Sequence, residues 1–332
     1  MRKALSLLLA VLFIAALFSG CTKERELRAV TLNEVTRSVF YAPLYVAVSL
    51  GYFADEGIDL SIVTGGGSDK SMTALLSGDA LVALMGPETG VYVVNEGKED
   101  HPIIIAQLTK RDGSFLVGRQ SEADFKFESL AGKTIIGGRP GGMPYMTLCY
   151  VLREHGLEPN VDVTVIDNIQ FSLMGGAFES GTGDYVTLFE PTASLFEKEG
   201  KGYKVANMGL ESGEVPYTTF MVQQKTIDED PAFVEAFVRA IYRAQVYVKT
   251  ASDAEVAKAM LPFFPDAEQA TLELVAKSYR ATDSWTDIPT MTEDAFTRLQ
   301  DVMDGAGVLS ARVDFSTLVD NSFGEKVMSE FK

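Results

Sequence analysis

Cysteine and histidine are scarce. The 332-residue chain has two of each: Cys21 and Cys149, His101 and His155. Two cysteines build no disulfide framework. Two histidines far apart in sequence argue against a zinc cluster or a histidine-based catalytic triad. Positive charge is also short, with 29 Lys and Arg against 46 Asp and Glu, a net charge of −17. So acidic a surface repels polyphosphate, which excludes nucleic acid as an expected partner. Any anionic ligand needs a local site that overcomes the overall field. Beyond residue 21 no stretch approaches the ~18 consecutive apolar residues of a membrane-spanning helix. Low-complexity tracts are absent too. The composition, 46% hydrophobic and 23% charged, is that of an ordinary globular protein, and the length suits two domains.

The one long apolar run, Leu5 to Phe18, follows Arg2 and Lys3. It is too short to span a bilayer comfortably and fits the core of a secretion signal over residues 1–20. It leads into Leu17-Phe18-Ser19-Gly20-Cys21. Small residues before a cysteine resemble the lipobox of bacterial lipoproteins, with Phe18 a departure from the usual Leu. That resemblance implies lipidation at Cys21 and a polar tether over 21–27. The mature protein is then expected outside the cytoplasm, held at a membrane surface by its lipid. Cys149 sits in the helical pattern Met146 to Arg153 and reads as a small buried apolar residue.

From Leu27 onward, short apolar runs alternate with helical patterns. Strands are expected at 27–32, 59–64, 81–85, 103–108, 163–167 and 185–189, and helices at 43–56, 68–77 and 88–96. This β-α-β alternation predicts an α/β fold with parallel sheet and helices on both faces. The passage from Asp59 to Thr89 resembles that from Val163 to Ala193. Each reads strand, polar loop, helix, Ser-Gly, strand, then an acid beside a proline. Two similarly built lobes follow, each Rossmann-like. Ser114-Phe-Leu-Val-Gly-Arg119 and Thr218-Thr-Phe-Met-Val-Gln223 also resemble each other and are expected to be the strands that cross between lobes. Lobe 1 would take residues 28–114 and 224–332, and lobe 2 residues 119–217. The hinge strands would be 115–118 and 218–223. The C-terminal part is expected to be helical. Asp230-Pro231 starts a helix over 232–248 with an apolar stripe, and Ser252-x-x-Glu255 is a capping box. Further helices are expected near 267–280 and 293–304.

Phe40-Tyr-Ala-Pro-Leu-Tyr-Val-Ala47, Gly51-Tyr-Phe53 and Glu56-Gly57-Ile58 resemble the opening of periplasmic-type solute-binding proteins. The nearest group is the sulfonate/nitrate/thiamin-pyrimidine branch, the NMT1/THI5-like family, of the type II class. Leu75-Leu-Ser-Gly-Asp79, Gly86-Pro-Glu88, Gly132-Lys133, Glu190-Pro191 and Gly305-Ala-Gly307 fall where that family has similar signatures. The resemblance covers nearly all of residues 28–325. It implies two lobes on a two-strand hinge and a small-molecule ligand in the cleft. It also implies partnership with an ABC permease and its ATPase. No cofactor or metal is implied, and a monomer is expected.

Ligands of open α/β sheets sit beyond the carboxyl ends of the strands. The loops there supply the candidates. Arg37, Phe40 and Tyr41 follow the first strand. Thr64, Gly65, Gly66 and Ser68 close the second, where backbone N–H groups at a helix start could meet an anion or a polar ring. Asp69 before Lys70 departs from a phosphate P-loop. Gly86 and Glu88 follow the third strand. In lobe 2 the candidates are Arg139, Gly141, Gly142, Met143, Phe171 and Glu190. Phe40 and Tyr41 suit a planar ligand. Glu88 and Glu190 suit ring N–H or amino groups; read as a pair they are a glycosidase signature that nothing else supports. Arg37 and Arg139 with the glycine turns favour an anion such as a sulfonate. The two glutamates and the aromatics favour a nitrogen-rich ring such as a pyrimidine, purine or flavin-like molecule. In relatives that bind or make the thiamin pyrimidine, His commonly stands at the place of Tyr41. That departure weighs against a thiamin-pyrimidine ligand and against a pyrimidine-synthesis enzyme on the same scaffold. A ligand-sensing extracellular domain is a third reading, with no output segment beyond the expected signal. Trp285 is expected to pack its loop onto lobe 1.

Overall fold

The computed structural model describes residues 26–98 and 100–331. The expected secretion signal and Cys21 lie outside the described residues. Runs of buried β-branched and aromatic residues become the strands. These are β1 (Arg28–Glu34), β2 (Ile58–Thr64), β3 (Val82–Met85), β4 (Pro102–Thr109), β5 (Ser114–Gly118), β6 (Thr134–Ile136), β7 (Thr164–Ile166), β8 (Tyr185–Phe189), β9 (Tyr203–Asn207) and β10 (Thr218–Gln223). They form two five-stranded sheets in the orders β2-β1-β3-β10-β4 and β7-β6-β8-β5-β9. In the first, β1 runs parallel to β2 and β3, and β10 is antiparallel to β3 and β4. In the second, β6 runs parallel to β7 and β8, and β5 is antiparallel to β8 and β9. The two lobes therefore share one topology, and β2 and β3 correspond to β7 and β8, the strands of the internal resemblance.

The expected hinge strands need correction. Residues 115–118 lie within β5, paired on both edges inside the second sheet, and 218–223 is β10, paired on both edges inside the first. A strand committed to two ladders belongs to its sheet. The chain passes between lobes at residues 110–113, after β4, and at 213–217, before β10. Each crossing delivers the single antiparallel strand of the lobe it enters.

The helices are α1 (Ala42–Ser49), α2 (Tyr52–Asp55), α3 (Ser68–Ser77), α4 (Glu88–Asn95), α5 (Met143–Glu154), α6 (Met174–Glu179), α7 (Thr192–Glu199), α8 (Met208–Ser212), α9 (Gln224–Glu229), α10 (Pro231–Thr250), α11 (Asp253–Met260), α12 (Gln269–Ala281), α13 (Glu293–Gly305), α14 (Phe315–Leu318) and α15 (Ser322–Glu330). The single helix expected over 43–56 is two. Gly51 adopts φ +73°, a left-handed conformation that ends α1 and starts α2. The signals read for α10 operate as anticipated. Asp230 accepts from Phe233 N at 3.0 Å, Pro231 takes the first turn, and Phe237, Ile241, Ala244 and Val248 are buried. The Ser252–Glu255 capping box forms at the start of α11.

The largest core joins the first sheet to α1, α10, α11 and α12. The second sheet buries two smaller clusters, with Leu116 on one face and Phe115 and Val117 on the other, as strand alternation dictates. Cys149 is buried and unpaired. Trp285 is buried, and its Nε1 donates to Phe40 O at 2.8 Å, which ties the C-terminal loop to the start of the first lobe.

Candidate functional site

A cavity of about 460 Å³ opens between the lobes. Its walls are loops at the carboxyl ends of the parallel strands, as open α/β sheets require. Thr36, Ser38, Phe40 and Tyr41 come from the turn after β1, Gly66 to Lys70 from that after β2, and Gly86 and Glu88 from that after β3. The second lobe supplies Gly138, Arg139, Gly142 and Met143 after β6, Gln170 to Ser172 after β7, and Phe189 at the end of β8. Tyr217 closes the site from the second crossing. Of the residues singled out in the sequence, Phe40, Tyr41, Gly66, Ser68, Gly86, Glu88, Arg139, Gly142, Met143 and Phe171 meet here. Thr64, Gly65 and Gly141 do not line the cavity. Arg37 and Glu190 line a neighbouring one of about 420 Å³.

Glu88 is the unusual group. It opens α4, is 2% exposed, and its Oε2 has no hydrogen-bond partner among the described residues. Its carboxyl folds back over Gly86, where a Cβ would overlap both carboxyl oxygens, so glycine at 86 gives Glu88 its orientation. Burial pushes the Glu88 pKa up to about 8, against a smaller lowering by a backbone hydrogen bond. At neutral pH the group is a carboxylic acid, with one O–H to give and one carbonyl oxygen to accept. Beside it stand Tyr41 and Tyr217, each 5% exposed, with phenol pKa values raised chiefly by burial. Phe40, 1% exposed, is the hub of the aromatic floor. Its ring lies 6.1 Å from Tyr41, 5.7 Å from Phe189, 5.8 Å from Tyr217 and 4.9 Å from Tyr279.

The three glycine N–H groups of the turn after β2 are engaged within the first lobe, which leaves Ser68 of those foreseen. Gly65 N donates to Glu34 O at 2.8 Å, and Gly66 N and Gly67 N both donate to Val35 O at 3.1 Å. Gly66 instead supplies φ +77°, which brings the chain round into α3. Positive charge lies at the more exposed parts of the wall. Lys70 and Arg139, one from each lobe, are both exposed and have no ion-pair partner among the described residues.

Sequence reasoning missed Glu34 at the end of β1. Its buried carboxylate accepts from Arg37 Nε at 2.6 Å, Tyr45 OH at 2.6 Å and Thr64 Oγ1 at 2.8 Å. Arg37 and Thr64 therefore turn to Glu34. Glu190, the counterpart of Glu88 in the internal repeat, is equally buried but fully engaged. It accepts from Ser194 N at 3.0 Å, Ser194 Oγ at 2.8 Å, Lys204 Nζ at 3.4 Å and, from α12, Ser278 Oγ at 2.7 Å. Asp112, at the first crossing, was also unforeseen. It accepts from Ser114 N at 2.6 Å, and burial pushes its pKa up to about 6. Among the described residues, no group of His, Cys, Asp and Glu is placed to hold a metal ion, and no helix is long and apolar enough to cross a membrane.

Matched α/β lobes, two crossings and a cleft at the carboxyl ends of the strands define the periplasmic-binding-protein fold. The alkanesulfonate-binding protein SsuA from Xanthomonas axonopodis pv. citri, solved bound to MOPS, shares that fold at a TM-score of 0.71 and 17% identity, over 88% of this chain and 98% of that one. The chain belongs to the NMT1/THI5-like family, whose model matches residues 39–254. It is 43% identical over 319 residues to YtlA of Bacillus subtilis (strain 168), a proposed binding protein, with 96% of each chain covered. It is 25% identical to the formylaminopyrimidine-binding protein of Halalkalibacterium halodurans, over 90% of this chain and 99% of that one. It is 25% identical to the riboflavin-binding protein RibY of Chloroflexus aurantiacus, over 88% of this chain and 86% of that one.

Proposed function

We propose that this protein is the extracytoplasmic, lipid-anchored solute-binding component of an ABC importer. It captures a small planar nitrogen-rich metabolite (a pyrimidine, purine or flavin-like molecule) between its lobes and releases it unchanged to a permease driven by an ATPase. The observation that carries the ring reading is Glu88: a buried, neutral carboxyl with an unpartnered oxygen, set among aromatic side chains. A protonated carboxyl presents a donor and an acceptor side by side. That matches the edge of a heterocycle carrying a ring nitrogen next to an N–H or amino group. An aliphatic sulfonate or a nitrate presents acceptors only. Tyr41, Tyr217, Phe171 and Phe189 supply faces and edges for the ring. The cavity volume lies in the range of small-molecule sites, about 300–1,000 Å³. Two relatives named for a pyrimidine and a flavin point the same way. In this reading the chain works as a monomer tethered through Cys21 and performs no chemistry on its ligand.

One observation favours a second reading. Lys70 and Arg139 face the cavity from opposite lobes beside the start of α3, an arrangement suited to a sulfonate or other anion. A thermal-shift screen decides between them, because a ligand bound only by the folded state raises the melting temperature. Pyrimidines, purines and flavins are expected to raise it, and sulfonates and nitrate are not. The reverse pattern would overturn the ring reading. Binding is expected to weaken above about pH 8, where Glu88 ionises, and Glu88→Gln, which keeps a donor and an acceptor, should bind independently of pH across that range. Product analysis after incubation with pyridoxal phosphate and iron tests the pyrimidine-synthesis alternative; the ligand should be recovered intact.

A further inference from the structure

We infer that the cleft has two chambers, and that the second receives a hydroxylated arm carried by the ring ligand; this rests on the ring reading above. The second cavity, about 420 Å³, shares Ser38, Phe171, Ser172 and Phe189 with the first. Phe171 is the partition. It is 49% exposed, lines both spaces and meets Phe189 edge-on at 5.4 Å between ring centres. A ligand filling only the first chamber leaves the second, of nearly equal size, beside it.

The chemistry of the second chamber is distinctive. Arg37 enters it as a fixed, neutralised guanidinium. Its Nε is bound to buried Glu34, and its Cζ lies 5.4 Å from the Tyr45 ring centre and 5.8 Å from that of Phe263. Both terminal NH₂ groups lack hydrogen-bond partners among the described residues, so they remain as donors. Because Glu34 cancels the charge, an anion gains little there. Glu179 lines the same chamber as an acceptor, paired with Lys201 at 3.0 Å. The hydroxyls of Ser38, Ser172 and Thr192 add to the polar set, beside Glu190 with its own partners filled, and Phe196, Phe264 and Leu272 supply apolar wall. Donors and acceptors in one partly apolar space match a chain of hydroxyls, each of which gives and accepts a hydrogen bond. A carboxylate or phosphate would satisfy only the donors, and an alkyl tail neither set.

The test uses matched pairs of probes on the purified protein: riboflavin against lumichrome, which has a related ring and no hydroxylated chain, and cytidine against cytosine. Dissociation constants come from fluorescence quenching for the flavins and calorimetry for the others. In at least one pair the arm-bearing member is expected to bind ten-fold or more tighter. Arg37→Leu and Thr192→Val should each bring that ratio toward one by weakening the arm-bearing member alone. Glu88→Ala should weaken both members alike. If Arg37→Leu fails to fold with Glu34 left unpaired, Thr192→Val, on the opposite wall, carries the test. Equal affinities within every pair that binds, or a Thr192→Val effect on both members, would overturn the second chamber and leave the ring reading standing. Binding of no ring compound would overturn both.

Discussion

Glu88 and Glu190 hold corresponding places in the two halves of the chain, yet their surroundings make them different groups. Glu190 receives four hydrogen bonds, one of them from a lysine. Glu88 is as deeply buried but has an oxygen without a partner among the described residues. The difference has a consequence for stability. The folded chain holds the Glu88 proton up to about pH 8, whereas the unfolded chain releases it near the ordinary value of 4.5. Between those values the unfolded state binds fewer protons, so stability falls as pH rises and the full cost stands above about pH 8. Glu88→Gln removes the cost. Its stability relative to the parent, read from melting curves, should climb from pH 4 to pH 8 and then level off, by a margin of roughly 5 kcal/mol. A pH-independent difference in paired melting curves would refute the assignment. Asp112→Asn should behave likewise in the narrower window ending near pH 6. Glu88 was legible in the sequence as an acid after Gly-Pro at a strand end. Glu34 was not, because its donors come from Arg37, Tyr45 and Thr64, and only the fold makes them neighbours.

Elements were most legible where local chemistry and tertiary packing agree. The expected helix 68–77 and strand 185–189 match α3 and β8 residue for residue, since a left-handed Gly78 ends the one and buried Tyr185, Val186, Thr187 and Leu188 fill the other. The split between α1 and α2 escaped notice because Gly51 sits in phase with an apolar stripe, where a glycine reads as a weak helix residue. The misassigned hinge strands have a different cause. Sequence shows that two segments are extended and alike, but not which sheet each joins, and that depends on partners over a hundred residues away. Two predictions belong here. Asp230→Ala removes the cap of α10, the long helix of the main core, and should cost about 1 kcal/mol in urea unfolding, with the slope unchanged. Gly86→Ala puts a methyl group where the Glu88 carboxyl lies. It should abolish ring binding and flatten the pH dependence of stability while far-ultraviolet circular dichroism stays as in the parent. Retained binding would mean the orientation of Glu88 is unimportant.

At the scale of the whole molecule, the two crossings are not all that joins the lobes. Tyr92 OH, on α4 of the first lobe, donates to Gly141 O of the second at 3.0 Å. Ser278 Oγ, on α12 of the C-terminal part, donates to Glu190 Oε1 of the second lobe at 2.7 Å, and Glu190 N donates to Tyr279 OH at 3.1 Å. These contacts lie beside the two chambers, so any separation of the lobes that admits a ligand must break or stretch them. They therefore act as weights on an open–closed equilibrium. A hydrogen bond to a carboxylate contributes about 1.5–3 kcal/mol, and a neutral one about 0.5–1.5 kcal/mol. Ser278→Ala leaves Glu190 its bonds to Ser194 and Lys204, so the second lobe keeps its structure while the closed state loses a tie. Apparent affinity scales with the fraction of closed molecules. Ser278→Ala should therefore weaken ligand binding by roughly 10-fold or more, chiefly through faster dissociation, and Tyr92→Phe by less. In small-angle scattering the ligand-free Ser278→Ala protein should have a larger radius of gyration than the parent, and saturating ligand should return both to the same value. If radius and dissociation rate match the parent with and without ligand, the contacts between Glu190 and α12 hold the C-terminal helices in place and have no part in closure.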